Sequence, residues 1–258
     1  LGPDIIKLLN LHYNQAIKEV MDFDGIIGSI IGDAVLAVFG ALDETRENKS
    51  FLAVKAGYRI QEVAQSLRLG MHQRREDIIR SRGSLTDEEE RVYKAVLLEV
   101  GVGIDGGLVF YGNIGSTERM TNTVIGDNVN SASRLEGLTR IYHVPVIVSE
   151  YVKDEIEQNV KKHGLYFQEI DMVQVKGKTV GKRVYWPILM ENFTPDIQED
   201  LEHFSKALAL YYRGGSDWTD SLKEFKQCRL PLAKVFVERV SENACPDNWS
   251  GVWTMTSK

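Results

Sequence analysis

Apolar positions in residues 3–21 recur at helical spacing. Ile5, Ile6, Leu9, Tyr13, Ala16, Ile17 and Val20 share one face, and Pro3 suits a first turn. The period then changes. Residues 26–31 and 34–39 are β-branched runs split by Gly32-Asp33, which predicts a hairpin with those two residues at its turn. A polar loop over 43–49 leads back to helical spacing in 51–67, with Ala53, Val54, Ala56, Ile60, Val63 and Leu67 inward. Residues 68–82 are rich in arginine and poor in positions to bury, and read as an exposed, solvated insertion. Thr86-Asp87-Glu88-Glu89 has capping-box spacing and predicts a short helix through Val92 and Ala95.

From residue 100 the pattern tightens: VGVGIDGGLVFYGNIGSTERMTNTVIGDNVNSASRLE. Two apolar runs split by Asp105-Gly106-Gly107 read as a hairpin, closed by a loop over 112–116. Residues 123–125 form a short strand, Gly126-Asp127 a turn, and 128–137 a helix. Residues 142–149 read as a strand, with Pro145 marking an irregular or edge position. A helix over 150–160 follows, then strands over 166–175 and 183–189 joined by a lysine-bearing turn.

Past Pro195 the pattern is helical only. Residues 197–212 and 218–228 make an antiparallel pair with weak tetratricopeptide-like spacing, and 232–242 a third helix. One such unit does not bury both of its faces, so it is expected to pack on the main domain. Trp249 and Trp253 are expected to staple the tail into a groove.

The 258 residues allow one large domain, or one domain plus an appendage. A net charge of −6 argues against nucleic acid as the main partner. Cys228 and Cys245 match no metal-ligand spacing and read as free thiols. No apolar run approaches the ~18–20 residues that cross a bilayer, and no signal peptide is seen. The chain opens on Leu1 within a helical pattern, so it reads as part of a longer protein, with an upstream sensor or membrane region expected and a cytoplasmic location.

Three places carry candidate chemistry. Asp33 projects from a tight turn, which suits a hard cation and equally suits an ordinary turn former. Asn130 and Arg134 are four apart and share a helix face. An amide beside a guanidinium fits a ribose and a phosphate, while a helix cap and a surface ion pair are the plainer alternatives. Lys176 can reach phosphates or simply solubilise a hairpin tip.

At these residues a resemblance becomes specific. GIDGGLVFYGNIGS followed by NTVIGDNVNSASRLE resembles the signature of class III nucleotidyl cyclases, the family of adenylate and guanylate cyclase catalytic domains. IIGDAVLAVFG (30–40) and VQVKGK (173–178) resemble two further blocks of that family, in family order. The resemblance covers roughly residues 1–190. It implies an α+β, ferredoxin-like cyclase fold, with a mostly antiparallel sheet and helices on one face, and leaves residues 191–258 as a C-terminal helical appendage.

The resemblance also implies a reaction. A ribose 3′-hydroxyl attacks the α-phosphate of a nucleoside triphosphate and pyrophosphate leaves, with two Mg²⁺ or Mn²⁺ ions in each active site. Asp33 matches the second metal aspartate of the family, and the strand and loop carrying the first lie outside this sequence; Asp4 falls too late to replace it. Asn130 matches the ribose-orienting residue and Arg134 the arginine at the α-phosphate. Lys176 matches the lysine on the terminal phosphates, and Arg119 is a softer phosphate candidate. Ser29 stands where adenylate cyclases of this class usually carry lysine and guanylate cyclases glutamate. Thr123 stands where adenylate cyclases carry aspartate or threonine. Together they lean toward ATP. A head-to-tail homodimer with two equivalent sites is implied. A guanylate cyclase, a nucleotide-binding pseudo-cyclase, and an interaction module docking through its C-terminal helices are the other readings.

Overall fold

The structure is a computed structural model that describes residues 2–41, 47–95, 97, 99–116, 118, 120–174 and 181–253. The chain divides into two compact units. The first comprises residues 1–100 and 111–124, the second 101–110 and 125–258. No helix among the described residues is long and apolar enough to cross a membrane.

In the first unit, helix α1 (Gly2–Asp22) packs on strand β1 (Gly25–Ile31) and on helix α2 (Lys49–Arg82). Its residues Ala16 and Val20 are buried, as are Leu52, Ala53, Val54 and Ala56 of α2. Strand β2 (Ala34–Phe39) pairs antiparallel with β1, and Ile31 faces Ala34 across the Gly32-Asp33 turn. The expected hairpin is therefore present. Asn48 caps α2, its Oδ1 accepting from the Phe51 amide at 3.1 Å.

The arginine-rich stretch is not a loop. α2 runs unbroken to Arg82 and ends at Gly83, whose φ of 91° closes the helix in the left-handed region. Residues 68–82 carry no proline and are mostly good helix formers. An i,i+4 bond from Gln73 to Asp77 at 2.9 Å supports them. They are largely exposed, as expected, but exposure does not prevent a helix. Helix α3 (Asp87–Ala95) follows, with the capping box formed. The Glu89 amide donates to Thr86 Oγ1 at 3.2 Å, and the Thr86 amide donates to Glu89 Oε2 at 2.8 Å.

The 103–107 hairpin is absent. Strand β3 (Val102–Ile104) pairs in parallel with β6 (Val146–Ser149), while β4 (Phe110–Gly115) pairs with β5 (Met120–Ile125). Residues 112–115, expected in a loop, are part of β4. The glycines serve close packing instead of a two-residue turn. A Cβ at Gly106 would lie 2.2 Å from Tyr151 Cδ1, and one at Gly107 2.2 Å from Asn128 Nδ2.

The second unit holds a four-stranded sheet in the order β3-β6-β8-β7, completed by β7 (Leu165–Gln174) and β8 (Gly181–Leu189). β7 and β6 both run antiparallel to β8. β6 lies inside the sheet and is wholly buried, so Pro145 marks no edge. Residues 142–145 are not strand either. Helix α4 (Asp127–Tyr142) extends that far, and His143, at φ 53°, closes it. Helix α5 (Glu150–Asn159) packs on β6 and β8.

Three C-terminal helices, α6 (Pro195–Arg213), α7 (Asp217–Phe225) and α8 (Pro231–Glu242), share one core with α4 and the sheet. Phe204, Tyr211, Phe225 and Phe236 are fully buried. Phe225 stacks on Phe236 at 4.7 Å between centroids, and Phe204 meets both edge-on. The tryptophan staple forms. Trp249 Nε1 donates to the Tyr211 carbonyl at 2.7 Å, and Trp253 bridges to Val173 of β7. Both cysteines are free thiols.

Candidate active site

In the first unit, Gly28 is an extra residue in β1, so Ile27 faces Ala37 while Ser29 faces Leu36. Such a bulge re-aims the side chain beside it. A Cβ on Gly28 would sit 3.0 Å from Val124 Cγ2, so β1 meets β5 at this point. Ser29 and Thr123 are the residues adjoining that contact, and both are half-buried. Gly32 takes a positive φ of 62°, which the tight turn requires. The Tyr13 hydroxyl on α1 donates to the Gly32 carbonyl at 3.2 Å and ties the turn down.

Asp33 is exposed at that turn and pairs with no cation among the described residues. Mg²⁺ commonly takes one or two carboxylates and completes its shell with water and substrate phosphates. Asp33 fits as one such ligand. Among the described residues, no group of three or more His, Cys, Asp or Glu gathers around a point.

In the second unit, α4 opens at Gly126 with no side-chain cap. Asn130 lies a full turn inside, so it is not a cap. It is exposed, and so is Arg134, one turn further along the same face. Neither makes a hydrogen bond or ion pair among the described residues; the helix's own surface pair is Arg140 with Glu136 at 3.2 Å. Asn130 is therefore no cap, and Arg134 forms no surface ion pair among the described residues. Close packing positions the helix. A Cβ at Gly103 would lie 2.1 Å from the Glu136 amide nitrogen and 2.3 Å from the Ala132 carbonyl, and one at Gly101 2.0 Å from Thr139 Oγ1. With no side chains in the way, α4 rests directly on β3 and presents its outer face to solvent.

Arg119 and Lys176 lie outside the described residues. Two other groups escaped the sequence reading. The side chain of Asp105, just past the end of β3, is only 1% exposed. Its Oδ1 accepts from the Gly106 amide at 2.8 Å, and its Oδ2 lies 3.5 Å from Lys182 Nζ at the start of β8. The other group joins Tyr142, Asp171 and Arg239, all buried. The Tyr142 hydroxyl donates to Asp171 Oδ2 at 2.6 Å, and Arg239 donates to the same oxygen at 2.8 Å. Burial, with the Asp171 charge beside it, pushes the Tyr142 hydroxyl well up. Burial also pushes the Asp171 carboxyl up, against the pull of the guanidinium. A signal existed for this group. Asp171 interrupts an apolar strand, and Arg239 falls on the face of α8 defined by Leu232, Phe236 and Val240.

A family model described as the adenylate and guanylate cyclase catalytic domain matches residues 2–189. The chain is 27% identical over 254 residues to the terminal-differentiation-specific adenylate cyclase of Dictyostelium discoideum, covering 94% of this chain and 10% of that protein. It is 28% identical over 183 residues to an adenylate cyclase of Anabaena cylindrica, covering 70% of this chain and 32% of that protein. The chain thus spans about a third or less of the length of these relatives. The Dictyostelium match also reaches into the helices beyond residue 189. Among solved structures, the adenylyl cyclase CyaB from P. aeruginosa superposes with a TM-score of 0.53 at 25% identity, over 71% of this chain and 81% of that one. The α+β architecture is that of these cyclase domains, and the chain belongs to the adenylate and guanylate cyclase catalytic-domain family.

Proposed function

We propose that this chain is the catalytic domain of an adenylate cyclase, converting ATP to cyclic AMP and pyrophosphate. Residues 1–190 form the catalytic part and 191–258 the helical extension. The observation that carries the reading is the pair Asn130 and Arg134. They stand exposed and without partners among the described residues, one turn apart on α4, inside the stretch that the family model matches. Two polar side chains held ready on a rigid helix suit a ligand with both a ribose and a phosphate.

In the reaction, the ribose 3′-oxygen forms a bond to the α-phosphorus as the bond to the β-phosphate oxygen breaks. Asn130 orients the ribose so that attack is in line, which removes an entropic part of the barrier. Arg134 donates to the α-phosphate oxygens, where negative charge builds in the transition state. A bound Mg²⁺ or Mn²⁺ would screen the triphosphate and acidify the attacking hydroxyl. Asp33 would supply one ligand for it. Lys176 is assigned to the terminal phosphates, Arg119 is the softer phosphate candidate, and Ser29 and Thr123 are assigned to the purine edge. The resemblance, in which one protomer brings the metals and the other the asparagine and arginine, supports a head-to-tail homodimer. A cytoplasmic location is part of this proposal.

A guanylate cyclase is the second reading, because Ser29 replaces the lysine that favours adenine. The pseudo-cyclase reading draws on Asp33 being the one metal aspartate matched. A pure docking module is disfavoured, because the aromatic faces of α6–α8 are consumed in their own core.

The deciding experiment supplies ATP or GTP with Mn²⁺ to the protein carrying its native upstream sequence and measures cyclic product. Cyclic AMP supports the proposal, and cyclic GMP moves it to the second reading. A folded protein that binds nucleotide without cyclising it is a pseudo-cyclase.

A further inference from the structure

Helix α4 packs on β3, β6 and α8, with Leu135 and Leu138 in the shared core, and two of its contacts stand out. Its middle rests on β3 through the bare backbones of Gly101 and Gly103. Its last residue, Tyr142, joins the buried group at Asp171 and Arg239. Apolar packing lets a helix shift and tilt by small amounts, whereas a directional contact at one end fixes its axis. Tyr142 follows Arg134 by eight residues and Asn130 by twelve. The anchor therefore lies about 12 and about 18 Å along the axis from those side chains, so a small swing at one end displaces them at the other.

The anchor is built for direction. Asp171 sits where the β7–β8 ladder slips between Glu169 and Asp171, a bulge that turns its side chain inward. Its Oδ1 accepts from the Met172 amide at 2.8 Å, which leaves Oδ2 for Tyr142 and Arg239. The Arg239 guanidinium also donates to the Tyr211 hydroxyl at 3.1 Å and lies 4.8 Å over the Phe236 ring and 4.9 Å over that of Trp253. The C-terminal extension thus supplies both the charge and its aromatic housing. Apolar residues of similar volume commonly replace a buried ion pair with no loss of stability. What the charged arrangement adds is geometry.

We propose that Arg239 is a positioning residue for cyclisation: through Asp171 and Tyr142 it sets the axis of α4, and with it the placement of Asn130 and Arg134. This rests on the cyclase reading above. The C-terminal helices then belong to the catalytic apparatus rather than to a separate docking module.

The test uses the protein with its native upstream sequence, assayed with ATP and GTP in Mn²⁺. Tyr142→Phe, Asp171→Leu and Arg239→Met are combined, so that no buried charge is left unpaired. The triple variant is expected to melt near the wild type, to keep its KM, and to lose at least about tenfold in kcat, because the affected groups act in the transition state. Added to the double variant Asn130→Ala, Arg134→Ala, the triple change is expected to produce little further loss, since it acts through those two side chains. Arg239→Lys, which keeps the charge but loses the fork, is expected to fall between wild type and triple variant in kcat. A folded triple variant with wild-type kcat, or a fully additive loss on the background lacking both the Asn130 and the Arg134 side chain, overturns the proposal. If the triple variant does not fold, Arg239→Lys decides alone, and an unchanged kcat overturns it. A wild-type protein inactive on both nucleotides overturns the cyclase reading and this inference together, which separates the two failures.

Discussion

Gly103 and Glu136 approach each other as backbone to backbone: a Cβ on the glycine would lie 2.1 Å from the Glu136 amide nitrogen. Neither atom belongs to a flexible side chain, so nothing nearby can yield cheaply. Gly103→Ala must push α4 away from β3. We expect it to destabilise the second unit by about 1–3 kcal/mol, the usual range for overpacking, and to depress cyclase activity as well. Urea unfolding and a product assay on the same protein check both effects.

Arg134→Ala tests the chemistry without touching the packing. The side chain is exposed and makes no ion pair among the described residues, so the melting temperature should hold. Cyclisation should fall at least about 10²-fold with the loss of a main transition-state charge partner. Near-normal turnover would remove Arg134 from the proposed mechanism.

Base choice is addressed at Ser29. Guanine offers two N–H donors on its pairing edge, and a carboxylate accepts both, whereas adenine presents an acceptor there. Ser29→Glu is expected to shift the ratio of kcat/KM for GTP over ATP upward by about tenfold or more, the size of a charge-assisted hydrogen bond. Competition between the two nucleotides reads this directly. No shift would mean that Ser29 does not face the base.

The two thiols report on the C-terminal helices. Cys228 is buried, and burial pushes its thiol up to about 11, so little thiolate forms at neutral pH. Cys245 is only partly buried. A thiol reagent at pH 8 should label Cys245 first and reach Cys228 only as α6–α8 open. Mass spectrometry of partially labelled protein gives the order, and equal rates would contradict the packing described.

Much of this was legible locally. The β1–β2 hairpin follows from two β-branched runs around Gly32-Asp33, and the α3 start from the Thr86–Glu89 capping box, because each is settled within a few residues. Asn130 and Arg134 could be placed on one face for the same reason. The misreadings have a common cause. Asp105-Gly106-Gly107 satisfies a hairpin locally, yet the parallel pairing of β3 with β6 and the contacts of Gly103 with α4 lie far along the chain. Residues 68–82 were legible as exposed, but exposure does not distinguish a solvated helix from a loop. Asp171 and Arg239 each broke an apolar pattern, and only the fold shows that they break it together. Lys176 and Arg119 were named from the resemblance and lie outside the described residues.

The bridge between Trp253 and Val173 has a meaning apart from catalysis. β7 ends the strand order β3-β6-β8-β7, and among the described residues one side of its ladder has no strand beside it. An open ladder is a template for pairing with another chain. The tail covers that margin at Val173. A protein shortened to residue 248 would uncover it, and its characteristic failure would be self-association through β7 at rising concentration, seen by light scattering while the helical signal is still intact.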